Sequence, residues 1–253
     1  MNASKDRPLR DRVAVVTGGC GGIGQAICER LRKEGAEVYA ADLVRQTHPD
    51  VKYLEHDVTC EQSAIDLMQH MQSHHDRIDI LVNAAGIEIE KTIEETTLDE
   101  WNRIFAINVT GTFLTSKYAL ALMRKTGGSI INFGSYDGFI ADPRLSAYCA
   151  TKGAVHALTR AMACDHGPEK IRVNAICPGF IDTPMLKGFF GEGSDSERYY
   201  EAAREVHPIR RYGTPEDVAN LVFWLAGDEA GYATGQLWVL DGGLTAQVQQ
   251  MRL

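Results

Sequence analysis

Short apolar runs rich in β-branched residues alternate along this chain with longer amphipathic stretches. "RVAVVT" precedes "IGQAICERLRKEG", "EVYAAD" and "KYLEHDV" precede "EQSAIDLMQHMQSH", and "IDILVNAAG" follows. Strand-like runs separated by helical patterns of roughly 10 to 15 residues read as repeated βαβ units, which set strands parallel and cover the sheet with helices on both faces. The runs are almost uniformly apolar rather than alternating, as burial on both faces requires. The rhythm continues with "GSIINFGS", a helix from about Ser146 to His166, "IRVNAICPG", a helix after "TPED" and a last strand in "QLWVLDGG". The pattern predicts a seven-stranded, mostly parallel α/β sheet without internal repeat or linker, hence one domain over residues 1–253.

One stretch breaks the rhythm. Residues 186–212, "LKGFFGEGSDSERYYEAAREVHPIRRY", mix glycines, aromatics and charges between two regular units, the profile of a lid over a binding site. Composition then removes several classes of function. A net charge of −8 and a pI near 5.5, with the basic residues scattered among acids, argue against a nucleic-acid surface. The start "MNASKDRPLRDR" is polar, and no apolar run approaches the roughly 20 residues that span a bilayer, so a cytoplasmic protein is expected. Cys20, Cys28, Cys60, Cys149, Cys164 and Cys177 form no CxxC pair and no metal-like spacing with histidine; reduced packing thiols and no metal are expected. His74 and His75 read as solvated side chains at a polar helix end.

Candidate chemistry begins at "TGGCGGIG", residues 17–24, which places five glycines in eight positions directly after "VAVV". Glycine costs conformational entropy, so such a cluster between a strand and a helix points to close approach of a ligand. Backbone N–H groups and the helix dipole at that point favour an anion such as a pyrophosphate. Two frames are open: Gly19, Gly21 and Gly24 fit G-x-G-x-x-G, while Gly18, Gly22 and Gly24 fit T-G-x-x-x-G-x-G. Asp42 ends the second strand 18 residues beyond Gly24, where a carboxylate accepts hydrogen bonds from ribose hydroxyls and repels a 2′-phosphate, selecting NAD. Further along, Tyr148 and Lys152 lie four residues apart, hence on one helix face, where an ammonium can stabilise a phenolate. Ser135 ends the strand thirteen residues before Tyr148, and Asn108 stands upstream in "FAINVTGTF". Cys149, beside Tyr148, points elsewhere around the helix and reads as a packing residue.

Taken together, the glycine loop in its second frame, "NAAG" over 83–86, the order Asn108, Ser135, Tyr148, Lys152, and "PGFIDT" resemble the short-chain dehydrogenase/reductase family over about residues 10–245. The resemblance implies a single-domain Rossmann fold that binds NAD. It assigns the cofactor to Gly18, Cys20, Gly22, Ile23 and Gly24, to Asp42, to Asp57 and Val58 at the adenine edge, and to Asn83, Ala84 and Gly86. Pro178, Gly179, Ile181 and Thr183 would flank the nicotinamide, with Tyr148 and Lys152 at its ribose. Gly21 stands where NADP-preferring members often carry a basic residue. Tyr148 would be the general acid/base, Lys152 would lower its pKa, Ser135 would hydrogen-bond the substrate oxygen, and Asn108 would hold a water in a proton relay.

The family's pocket windows hold Glu88, Tyr136, Asp137, Arg144, Leu145, Phe189, Phe190, His207, Arg210 and Arg211. These polar groups imply a small polar or anionic secondary alcohol bound by Ser135, Asp137, Arg144 and Tyr148. Arg144 would meet a carboxylate or sulfonate, against a competing reading as a local partner of Asp142 or a solvated side chain. NAD implies oxidation of the alcohol as the working direction. A 3-oxoacyl-acyl-carrier-protein-type ketoreductase and a non-catalytic NAD-binding sensor are the alternatives. Apolar residues on several faces of "VTGTFLTSKYALALM" and "SAYCATKGAVHALTRAMACDH", with the family's habit, imply a homotetramer, with the tail "LTAQVQQMRL" folding over a neighbour or left free.

Overall fold

The computed structural model describes residues 7–45, 48–190 and 196–247. Seven strands, β1 (Val13–Thr17), β2 (Glu37–Asp42), β3 (Lys52–Glu55), β4 (Ile80–Asn83), β5 (Gly128–Phe133), β6 (Ile171–Pro178) and β7 (Leu237–Leu240), form one sheet in the order β3-β2-β1-β4-β5-β6-β7. Every pairing is parallel. The helices are α1 (Gly22–Lys33), α2 (Glu61–His74), α3 (Leu98–Phe105), α4 (Gly111–Met123), α5 (Ser146–His166), α6 (Pro184–Phe190), α7 (Ser196–Glu205) and α8 (Pro215–Ala226).

Alternating side chains within each strand explain the uniform apolar runs. In β1, Ala14 and Val16 face a layer built on Ile27 and Leu31 of α1 and Val218 and Val222 of α8. Val13 and Val15 face the opposite layer, with Leu67 and Met71 of α2, Ala119 and Met123 of α4, and Met162 of α5. Each such aliphatic side chain contributes roughly 1.5–3 kcal/mol through burial, so a polar residue on either face needs hydrogen-bond partners of its own. The strand order reverses between β1 and β4, and the crevice outside their carboxyl ends is where an open parallel sheet binds ligands.

The expected lid contains two helices, α6 and α7, on either side of residues 191–195. That short segment, the side chains of Phe189 and Phe190, and the end of the tail from 248 onward lie outside the described residues. No helix among the described residues is long and apolar enough to cross a membrane.

Candidate active site

At the β1–α1 turn, three of the five glycines serve the chain's own packing. Gly18 has φ +63°, and a Cβ there would sit 2.8 Å from the Ala85 backbone; at Gly24 it would lie 2.0 Å from the Gly18 carbonyl oxygen. At Gly19 it would meet Ala40 at 2.8 Å. The loop thus folds onto itself and onto the β2 and β4 ends. Gly21 and Gly22, both exposed, leave the open space that a ligand needs.

Helix α1 begins there with no side-chain cap and no acidic residue in its first turn. By contrast, α3 and α8 carry complete capping boxes, Thr97 with Glu100 and Thr214 with Asp217. An uncapped helix start beside exposed glycines is suited to a pyrophosphate. Asp42, at the end of β2, accepts hydrogen bonds from the backbone N–H of Cys20 (3.0 Å) and Val44 (3.2 Å), which fixes its carboxylate beside the loop. These residues fit a nicotinamide dinucleotide. Asp57 closes a turn by accepting from both the backbone N–H and the hydroxyl of Thr59, and Val58 packs closely against Gly111.

The residues expected around the nicotinamide mostly meet at one cavity of about 140 Å³, which Ile23, Ala84, Gly86, Pro178, Gly179, Ile181 and Thr183 line. Asn83 is 3% exposed, and its side chain donates to Ser116 (3.0 Å) and Asn132 (2.8 Å), tying β4 to α4 and β5 behind the cavity lining.

The same cavity receives Ser135, Tyr148 and Lys152. Tyr148 and Lys152 share a face of α5, with the Lys152 Nζ 5.3 Å from the Tyr148 ring centroid. Lys152 donates to the Phe133 carbonyl oxygen (2.9 Å), and burial lowers its pKa to about 8. Burial, with the charges of Glu88 and Asp137, pushes the Tyr148 phenol well above its ordinary value, while a hydrogen bond with Ser135 acts in the opposite sense. The chain by itself therefore holds Tyr148 as a phenol.

Asn108 lies in a π-helical turn, residues 106–110, that joins α3 to α4. Such a widened turn re-aims side chains at functional sites. The Asn108 amide accepts from the Ile87 N–H (2.9 Å) and donates to the Ile87 carbonyl (2.9 Å) and the Thr151 hydroxyl (3.1 Å). It fastens the segment after "NAAG" to α5, behind Lys152.

The substrate side of the cavity differs from the expectation. Arg144 does not line it: the side chain is exposed at φ +68° and pairs with Glu90 (3.5 Å) and Glu95 (3.0 Å). Neither carboxylate is Asp142, which instead accepts from the Tyr136 hydroxyl. The lid arginines are likewise engaged outside, Arg210 with the Glu205 carbonyl and Arg211 with Asp217. His207, 1% exposed, meets Phe180 edge to face at 5.6 Å, and the Phe180 ring meets Tyr136 at 5.7 Å, so aromatic contacts link the lid to the cavity wall. Glu88, Tyr136, Asp137, Asp142 and Leu145 do line the cavity, and among the described residues Lys152 is its only basic side chain.

His156 is a residue that the sequence reading missed. Buried on α5 one turn beyond Lys152, it packs against the Ser135 loop so tightly that a Cβ at Gly134 or Gly138 would lie 2.4 or 2.2 Å from its ring. Its Nε2 stands 3.2 Å from the Cys177 Sγ, and burial with the Lys152 charge lowers its pKa to about 4. The spacing 148, 152, 156 on one helix face was the available signal.

Comparison with known proteins gives the chain's relatives. A family model described as "Enoyl-(Acyl carrier protein) reductase" matches residues 18–245. The chain is 40% identical to 2-(S)-hydroxypropyl-CoM dehydrogenase 3 of Xanthobacter autotrophicus, over 94% of this chain and 98% of that protein. It is 34% identical to the NADP-dependent (R)-specific alcohol dehydrogenase of Lentilactobacillus kefiri, over 94% of this chain and 98% of the relative. The solved structure of Thermoplasma acidophilum aldohexose dehydrogenase in ligand-free form superimposes with a TM-score of 0.93 at 34% identity, covering 98% of this chain and 99% of that one.

Proposed function

The chain belongs to the short-chain dehydrogenase/reductase family, and we propose that within it the protein is an NAD-dependent dehydrogenase oxidising a small, polar secondary alcohol without an anionic group to the ketone. The observation that carries this reading is the convergence of Ser135, Tyr148 and Lys152 on one cavity at the sheet's switch point, beside the Asp42 end of β2.

When bound, the nicotinamide supplies the hydride acceptor. The chain's part is to orient the alcohol and move its proton. Ser135 holds the substrate oxygen, and the Tyr148 oxygen takes the hydroxyl proton. Lys152, its ammonium 5.3 Å from the tyrosine ring, is assigned the role of stabilising the phenolate by its charge. Asp42 favours NAD over NADP because its carboxylate would stand against a 2′-phosphate. The carboxylate-lined substrate side speaks against the anionic class, since the guanidinium expected to receive an anion is paired elsewhere. The acyl-carrier-protein alternative has the family model's description in its favour, whereas the similar proteins named above are dehydrogenases of alcohols or sugars.

Residues 186–212 serve as the lid in this proposal, with Leu186 reaching the cavity wall. A homotetramer assembled through α4 and α5 completes it, with the exposed Phe113 on α4 as one apolar contact. Light scattering tests the assembly. Absorbance of NADH tests the activity: turnover with NAD on small diols or polyols, absent in Tyr148→Phe, is expected. NADP-only turnover, or turnover undiminished in that variant, would refute the assignment.

A further inference from the structure

Three acidic side chains, Glu88, Asp137 and Asp142, face the cavity that holds Tyr148, against the single base Lys152. Two of them have protein partners. Asp142 accepts from the Tyr136 hydroxyl, and Asp137, 3% exposed, accepts from the Asp142 N–H (3.1 Å) and the Ser135 hydroxyl (3.2 Å). Glu88 is different: it is half-buried, and among the described residues no hydrogen bond or ion pair reaches its carboxylate.

We propose that Glu88, with Asp137 beside it, forms an acceptor subsite that binds a second hydrogen-bond donor carried by the substrate, a hydroxyl or an ammonium, and turns away carboxylates, sulfonates and phosphates. This rests on the dehydrogenase reading above and specifies its substrate.

The chemistry follows from what a carboxylate offers. Ionised, Glu88 presents acceptor lone pairs only, and a half-buried carboxylate without a donor loses hydration with nothing in return. A substrate bearing a second O–H or N–H supplies that donor at the moment of binding. An anionic substituent brings more acceptors and more negative charge to a place that already has three carboxyl groups. The one base, Lys152, spends a donor on the Phe133 carbonyl and holds its charge at the Tyr148 ring, leaving three carboxyl groups against it. Burial raises Glu88 to about 7, with the charges of Asp137 and Glu90 acting in the same sense, and burial raises Asp137 to about 6 against the hydrogen bond it accepts from the Asp142 N–H.

The test uses the full chain with NAD at pH 8 and four probes of similar size: propan-2-ol, propane-1,2-diol, 1-aminopropan-2-ol and lactate. Wild type should show kcat/KM at least tenfold higher for the better of the two donor-bearing probes than for propan-2-ol, and lactate should be the poorest. In Glu88→Leu the ratio of donor-bearing probe to propan-2-ol should fall at least tenfold. Glu88→Gln, which keeps an acceptor oxygen but loses the charge, separates the sources: a retained diol preference identifies a hydroxyl, a lost amine preference an ammonium. Lactate equal to or better than the diol in wild type, or a ratio indifferent to both Glu88 variants, would overturn the subsite alone. Absence of turnover on every probe would instead overturn the dehydrogenase reading and the subsite with it.

Discussion

The Ser135 hydroxyl donates to the Asp137 carboxylate at 3.2 Å while the Asp137 backbone N–H donates to the Ser135 oxygen at 3.1 Å. The hydroxyl that would hold a substrate oxygen is therefore oriented by a buried acid two residues on. Burial drives this acid's pKa up, so the folded chain binds its proton more tightly than the unfolded chain does.

The sign of the stability effect follows from that difference. Asp137 rises from 3.8 to about 6 on folding, so its favourable contribution is complete at low pH and is lost as pH rises through about 6. Two units correspond to about 3 kcal/mol at most. Thermal unfolding at pH 4.5, 6 and 7.5 should find Asp137→Asn progressively more stable relative to wild type as pH increases. A constant gap between the two proteins would contradict the assignment.

Tyr148 titration should respond to the same acids. Glu88 and Asp137 add to burial in holding the phenol protonated. Alcohol oxidation, which needs the phenolate, is then expected to rise towards alkaline pH. Removing one negative charge in Glu88→Gln should move that rising limb to lower pH, read from kcat/KM across pH 6–10.

The glycine loop separates packing from binding. Gly24→Ala forces a Cβ to 2.0 Å from a backbone oxygen and should cost at least about 1–3 kcal/mol, seen as a lower Tm without cofactor. Gly22→Ala meets only the Thr183 and Pro184 side chains, at 3.3 Å or more, and should leave Tm nearly unchanged. Its effect should appear in calorimetry as NAD binding weakened about tenfold, since the helix start is no longer open to the phosphates.

Cofactor choice should follow Asp42. Asp42→Ala removes the carboxylate held by Cys20 and Val44, and the NAD-to-NADP ratio of kcat/KM should fall by one to two orders of magnitude. An unchanged ratio would show that selection resides elsewhere.

Arg144 should be dispensable for binding. Its two exposed ion pairs are worth about 0–1 kcal/mol, and a non-glycine residue at φ +68° is strained. Arg144→Gly should keep KM within about twofold and lose no stability, measured by steady-state kinetics and thermal unfolding.

Most of the fold was legible in the chain, because strand and helix leave local signatures. The uniform apolar runs place Val13, Ala14, Val15 and Val16 of β1 in one of two cores each, and the helix read from Ser146 to His166 has those bounds in the structure. Tyr148 and Lys152 were equally readable, since four residues on a helix determine a shared face. The direction a side chain takes was not: Asn83 turns into the core towards Asn132, and Arg144 out to solvent towards Glu95.

What the sequence determined by itself is the sheet, its helices and the shared helix face of Tyr148 and Lys152, all set by periodicity and short-range spacing. Tertiary structure alone decided which charges meet the substrate. Glu88, Asp137 and Asp142 come from two separate loops at the ends of β4 and β5, and their convergence on one cavity, with Arg144 left outside it, depends on parallel strands lying side by side. Electrostatic interactions act through space, and only the folded chain sets those distances.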